Sequence, residues 1–267
     1  AAVRARSIGL VTCSLACIDE LPASETHLFA EYIFPQLMSC MSGMSSEPVV
    51  LLAVANNIGT LMQHAMRFAE LSVATAQTDV GQIAQVQERL GNGNTPDQSQ
   101  KRRVEVDHFD VQCRHVREAV KKIVKVLLES LPAGPQQADR VGAVVHGETQ
   151  MQEESLLNLA ASREVKLALL RNTSILADSL GRDDTHNFLL PYLISFMNDP
   201  AWEVRAAFCE EAAFLPRKVG QVSTEGIIWP CYEQALQDQE QRVLRAALSG
   251  LLTLVSQRVL RRQGLAM

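Results

Sequence analysis

Six histidines, six cysteines, two adjacent carboxylate pairs and a glycine-asparagine tetrad are the groups in this 267-residue chain that could do chemistry. No histidine is followed by Glu, and no two stand four residues apart, so the helical spacings that seat iron or zinc are missing. His108 and His115 are seven apart across an expected loop-to-helix boundary, and solvated or turn histidines are the reading. The cysteines, at 13, 17, 40, 113, 209 and 231, form no C-x-x-C pair. Cys13 and Cys17 are four apart and share a helix face. No second pair completes a tetrahedral site, so buried, reduced thiols in a cytosolic compartment are expected. Asp183-Asp184 precedes Thr185 and His186 at an expected helix start, where acidic and hydroxyl side chains satisfy free N–H groups. Glu210-Glu211 falls inside an expected helix and includes a solvated position. The GNGN run at 91 to 94 lacks the Lys-Ser/Thr of a phosphate loop, and no G-x-S-x-G elbow occurs. The expectation is therefore no catalytic, cofactor-binding or metal-ligating residue.

Charge points away from nucleic acid. The net charge is -5 and the pI is about 5.7, whereas a phosphate binder carries a basic excess. Lys101-Arg102-Arg103 and the run Arg258, Arg261, Arg262 read as solvated clusters.

The elements that would position any site are repeats. Hydrophobic residues make up 47% and aromatics 5%, and the apolar load is mostly Leu, Val and Ala, which suit helices. REVKLALLRNTSIL around Val165, WEVRAAFCEEAAFL around Val204 and QRVLRAALSGLLTL around Val243 align without gaps at intervals of 39 residues. Three residues after each valine stands an alanine: Ala168, Ala207 and Ala246. One apolar and one small residue thus share a face on which a neighbouring helix can approach closely. The signature recurs at Val50 with Ala53, and a weaker copy starts at Val3. Arg4, Lys166 and Arg205 share the position after the valine. They either form a basic ladder along one edge facing an acidic partner or pair internally with turn acids such as Asp199.

Upstream of the valine helices lies a second kind of helix, in FAEYIFPQLMSCMS, NFLLPYLISFMN and IIWPCYEQALQ. Pro35, Pro191 and Pro230 are expected in its first turn, where a missing N–H costs least. Asp199-Pro200 and Asp238 mark the turn into the valine helix. A unit of helix, turn and helix cannot bury its apolar face alone, so about five units, the first incomplete, must stack. The expected fold is an all-α HEAT-type helical-repeat solenoid. Residues 1–72 and 111–267 hold the repeats, and 73–110 forms a polar, partly disordered insertion. A second polar insertion is expected at 131–158, and between the two VREAVKKIVKVLLESL forms an amphipathic helix.

No uninterrupted run of about 18 apolar residues occurs, so no membrane-spanning helix is expected. The opening residues read as helix interior, and the chain is expected to be a fragment of a larger protein.

FAEYIFPQL (29–37), LAVANNIGTLMQHAMRFAEL (52–71) and LLPYLISFMNDPAWEVRAAFCEEAAFLPRKVG (189–220) resemble the middle region of the regulatory subunit of the class III phosphatidylinositol 3-kinase complex, the vacuolar-protein-sorting pseudokinase subunit. That resemblance implies a non-catalytic scaffold between a kinase-like domain and a β-propeller, with the class III lipid kinase catalytic subunit and a Beclin-type subunit as partners. It also implies a cytoplasmic location, peripheral on endosomal and autophagic membranes only through the complex. The chain itself contains no H-R-D, D-F-G or β3-lysine motif. Two other readings stay open: a HEAT scaffold of a phosphatase or transport receptor, and the positioning region of an active Ser/Thr kinase.

Overall fold

The computed structural model describes residues 1–18, 28–41, 47–89, 98–131 and 148–257, with the side chains of 72–89, 98–108 and 148–156 outside that description. Among the described residues every regular element is helical. In chain order they are α1 (Ala2–Ala16), α2 (Phe34–Met41), α3 (Pro48–Arg89), α4 (Gln98–Glu129), α5 (Glu148–Arg171) and α6 (Thr173–Leu180). There follow α7 (Arg182–Asp184), α8 (Leu190–Ser195), α9 (Trp202–Ala212), α10 (Pro216–Val219), α11 (Gln221–Ser223), α12 (Trp229–Ala235) and α13 (Gln241–Ser256).

The valine helices stack in sequence order, α1 on α3, α3 on α5, α5 on α9 and α9 on α13. Behind them the second helices form another layer, in which α2 lies against α4, and α12 against α9 and α13. The expected all-α solenoid is the fold adopted, with one continuous core between two helix layers. Val50, Val165, Val204 and Val243 are at most 2% exposed, because each points from its helix into that core. Ala168 and Ala246 are buried, while Ala53 and Ala207 are half-buried against the same core. Val3 departs from the pattern and is 78% exposed.

Several expectations are corrected. Helix α3 does not end near residue 72 but runs to Arg89, and α4 begins at Gln98, well before residue 111. Gln, Ala and Glu keep the helix going on propensity through the single glycine Gly81, and the clustered breakers Gly91 and Gly93 come only after Arg89. Lys101-Arg102-Arg103 thus lies on helical backbone, whereas residues 90–97, the GNGN run among them, lie outside the described residues. Within the second expected insertion, α5 starts at Glu148, and residues 132–147 lie outside the described residues, as do Arg258, Arg261 and Arg262.

Pro35, Pro191 and Pro230 are the second residues of α2, α8 and α12, in the first turn as expected. Pro191 and Pro230 follow wide, π-type turns at Thr185–Leu189 and Thr224–Ile228, and Pro35 follows one at Leu28–Ile33. A proline where a wide turn passes into an α-helix leaves the carbonyl four residues earlier without its donor, and the wider turn redistributes the hydrogen bonds around the gap. The chain enters these helices through Gly181 and Gly220, 39 residues apart, with φ of 81° and 84°. Their ψ values of 177° and 171° complete a backbone conformation open essentially to glycine alone. One turn on, the Thr185 and Thr224 hydroxyls donate to the Gly181 and Gly220 carbonyls at 2.6 and 2.8 Å.

Pro48–Leu71 is long and apolar enough to cross a membrane, with mean hydropathy 1.3. It is the core helix of the stack, with α1, α4 and α5 packed around it and 56% of its most apolar window buried. Asn172 ties α3 to α5, donating from Nδ2 to the carbonyls of Ala55 (3.0 Å) and Ala168 (2.9 Å). A Cβ on Gly59 would lie 2.3 Å from the Asn172 amide oxygen, so glycine there permits the clasp.

His64, expected as a solvated or turn residue, sits inside α3 and is 9% exposed, with Nε2 unpartnered. Burial, and then the Arg67 cation, lower its pKa, partly opposed by a hydrogen bond to the Thr12 backbone. The unfolded chain therefore binds a proton more readily than the native chain. The stability His64 permits is complete above about pH 6.5 and is lost as pH falls from there towards the depressed native value. The urea midpoint is expected to drop between pH 7.5 and pH 5.5, and His64→Gln should flatten that dependence; an unchanged slope in the variant would assign it to other groups.

Candidate protein-interaction edge

The turns between the two helix layers form an edge built from acids and cations at repeating intervals. Asp199 and Asp238 each close their turn by accepting the backbone N–H two residues on, from Ala201 and Glu240, both at 2.9 Å. The second carboxylate oxygen of Asp199 meets Lys166 Nζ at 2.6 Å. Asp238 receives Arg205 in a two-pronged contact, at 2.7 and 3.0 Å. Each pair spans 33 residues, from the residue after one repeat valine to the turn acid of the following unit. Arg205 also donates from Nη1 to the Asp199 carbonyl at 2.7 Å, which links successive rungs.

A second rail runs beside the first, at an interval of 40 residues. Arg163 Nη1 pairs with Glu203 at 3.1 Å. One unit on, the Arg242 guanidinium lies 4.6 Å from the Trp202 ring centroid. The same two positions, two before and one before successive valines, are thus joined first by an ion pair and then by a cation–π contact. The Arg205 hydrogen bond holds the Asp238 carboxyl below the usual carboxylate range.

Of the two readings of the cations, the internal one is what Lys166 and Arg205 adopt: both are committed to turn acids, so their charge is not presented to an acidic partner. The reason is geometric, since a 39-residue period brings each turn acid beside the preceding unit's cation. Arg4 is exposed on α1, and the in-phase position of its turn acid, five before Val50, holds Ser45 instead of Asp.

The other reactive residue types are placed as follows. Cys113, Cys209 and Cys231 are buried and Cys40 is half-buried, but Cys13 and Cys17 are exposed, contrary to the expectation of six core thiols. α1 buries only the face carrying Ile8, Thr12 and Leu15, and positions 13 and 17 fall outside it. Burial pushes the Cys209 thiol up to about 12 and raises Cys231, so both stay protonated and unreactive at neutral pH. Asp183 and Asp184 lie in the first turn of α7 without a side-chain capping bond, and Asp184 instead pairs with Lys121 of α4 at 3.0 Å. Glu210 is exposed and Glu211 half-buried, the latter raised by burial and then by Glu210. His115 is exposed, and the His108 side chain lies outside the described residues. Among the described residues no three His, Cys, Asp or Glu side chains are grouped to hold a metal.

The edge does offer apolar contact. Leu159, Ala160 and Pro200 line a groove beside the Lys166–Asp199 and Arg163–Glu203 pairs. Leu157 and Leu159 are exposed on the part of α5 that extends past the turn. Trp202, Arg163 and Glu203 belong to this surface although they were not singled out from the sequence. The signal was present, because they flank the repeat valines in phase, but only the stack shows that adjacent units bring those flanks together.

A family model described as "PIK3R4-like, middle domain" matches residues 1–267. A Dictyostelium discoideum protein titled "Probable serine/threonine-protein kinase vps15" is 26% identical over 260 residues, 97% of this chain and 11% of that protein. An Arabidopsis thaliana "Serine/threonine-protein kinase VPS15" is 27% identical over 211 residues, covering 79% of this chain and 12% of the relative. A Candida glabrata "non-specific serine/threonine protein kinase" is 20% identical over 258 residues, 96% of this chain and 15% of the relative. The chain thus spans about a tenth to a seventh of the length of these relatives.

Proposed function

Because the chain belongs to the PIK3R4-like family, as its middle domain, we propose that it is a HEAT-type scaffold segment of a class III phosphatidylinositol 3-kinase regulatory subunit. In this reading it does no chemistry of its own. It holds the lipid kinase catalytic subunit and a Beclin-type subunit together for endosomal sorting and autophagy. It works in the cytoplasm and reaches membranes only through the complex.

The match over the full 267 residues carries the reading. Two features of the molecule support it. The ladder of Lys166–Asp199 and Arg205–Asp238 joins consecutive turns, which suits a surface that must keep its shape while partners bind. Leu159 adds apolar area beside the Lys166–Asp199 rung, and Leu157 is a further exposed leucine two residues before it on α5, of the kind that anchors a protein interface.

The test uses the full-length protein co-purified with the lipid kinase. Deleting residues 1–267 is expected to abolish recovery of the catalytic subunit. A Leu157→Glu/Leu159→Glu variant, altered only at exposed positions, is expected to weaken recovery at least tenfold without loss of folding. An intact complex after the deletion would sink the scaffold reading, and unchanged recovery with the double variant would move the contact off this edge.

A further inference from the structure

Helix α5 is longer than its repeat requires. α3, α9 and α13 begin two residues before their valine, at Pro48, Trp202 and Gln241, whereas α5 begins at Glu148, seventeen residues before Val165. The excess is about 22 Å of helix. Where α5 passes the Asp199–Pro200 turn it leaves a groove of about 360 Å³, lined only by residues of 159–166 and of 199–203 in the next unit. Leu159, Ala160, Pro200 and Ala201 form its apolar wall, and Leu159 is 41% exposed. Ser162, which also lines it, is 1% exposed and has a hydroxyl without a hydrogen-bond partner. A buried hydroxyl is normally paired, so an acceptor is due at that point.

The rim has more acid than base. Arg163 is shared by two carboxylates, Glu203 at 3.1 Å from Nη1 and Glu164 at 3.3 Å from Nη2. Each engages Oε1 alone, and their side chains are 30% and 43% exposed. Lys166 is matched one to one with Asp199, both of whose carboxylate oxygens are engaged. The two pairs plus Glu164 thus carry one negative charge in excess, and the spare hydrogen-bonding capacity of the carboxylates is that of acceptors. An acidic segment would meet like charge and no uncommitted cation.

We propose that this groove takes an extended basic segment of a partner subunit. An aliphatic side chain of the segment packs on Leu159, Ala160, Pro200 and Ala201, and a neighbouring Lys or Arg reaches Glu164 and Glu203. A backbone carbonyl of the segment accepts from the Ser162 hydroxyl. The segment is extended because a helix spends its carbonyls on its own ladder. This assignment rests on the scaffold reading, to which it adds the chemistry of the partner.

Recovery of the lipid kinase catalytic subunit with the full-length protein tests it. Ala160→Trp fills the groove, Glu164→Lys reverses the excess charge and Ser162→Ala removes the hydroxyl. The first two alter exposed or half-exposed positions, and unchanged melting temperatures verify that all three fold. Recovery is expected to fall at least fivefold with Ala160→Trp and with Glu164→Lys, and about threefold with Ser162→Ala. Unchanged recovery with Ala160→Trp would overturn the groove as a docking site. A gain with Glu164→Lys would overturn the assignment in favour of an acidic segment, and no change would remove the charge from recognition. Unchanged recovery with Ser162→Ala would overturn the backbone contact. Each of these failures leaves the scaffold reading standing if deletion of residues 1–267 still abolishes recovery, whereas an intact complex after the deletion sinks both.

Discussion

Replacing Gly250 by alanine should destabilise the last unit of the solenoid more than any other single methyl group added to the described glycines. A Cβ there would stand 2.5 Å from Tyr232 Oη and 2.6 Å from the Cys209 carbonyl oxygen. The carbonyl is helix backbone and cannot turn aside, and the Tyr232 phenol is buried and donates to that same oxygen. Relief therefore requires α13 to move off α9. Overpacking of this kind costs roughly 1–3 kcal/mol, and a displaced buried hydrogen bond about as much again. Better helix propensity returns about 1 kcal/mol, for a net loss of about 3 kcal/mol. Urea unfolding should show it. Combining Gly250→Ala with Tyr232→Phe, which removes one of the two clashing atoms, should cost less than the sum of the single changes. Strict additivity would mean that the phenol is not the group in the way.

Removing Asp238 should cost nearly as much, by a different route. The side chain of Asp238 is 11% exposed and that of Arg205 18%, so Asp238→Ala leaves a largely buried guanidinium without its counter-ion. Breaking one partner of a buried pair costs about 3 kcal/mol. The loss of the turn bond to the Glu240 N–H acts in the same direction. Removing both charges in Arg205→Met/Asp238→Ala should recover part of the loss. The pair also sets a pH dependence. Because the native carboxyl is held below its ordinary value, its contribution is complete above about pH 4 and disappears as pH falls through the depressed native value. Unfolding midpoints followed from pH 6 to pH 2 should be less steep for Asp238→Asn than for the parent chain. Equal slopes would show that Asp238 is not perturbed by folding.

Both variants act on the junction between consecutive units, and a scaffold is most exposed there. A solenoid has no contact between distant units to hold it when one interface opens. Loss of one rung should therefore loosen one end of the stack while the rest keeps its structure. Hydrogen exchange confined to α12 and α13 would distinguish that outcome from global unfolding.

The 39-residue interval of Val165, Val204 and Val243 made the helix layers and their core face legible, since period and side-chain type together prescribe which face is buried. The same interval relates Gly181 to Gly220 and Thr185 to Thr224, a further signature at the helix entry that could have been read in the same way. The candidate edge was half legible. Lys166, Arg205 and the turn acids stood out by position, but whether they pair with each other or await a partner depends on distances across 33 residues. The prolines marked the first turns of α2, α8 and α12, but the wide turns that lead into them carry no such residue signal. The end of α3 was placed too early because its continuation is polar, and polarity alone does not stop a helix.

Fold class, repeat phase and the absence of recognisable catalytic motifs follow from the amino-acid sequence, because they depend on local periodicity and on residue types at fixed spacing. The stacking decided the rest: the pairing of Lys166 with Asp199 and of Arg205 with Asp238, the burial of His64, the exposure of Cys13 and Cys17, and the groove between α5 and the Asp199–Pro200 turn. Each of these is a relation between units, and a one-dimensional pattern does not contain the separation between residues that only packing brings together.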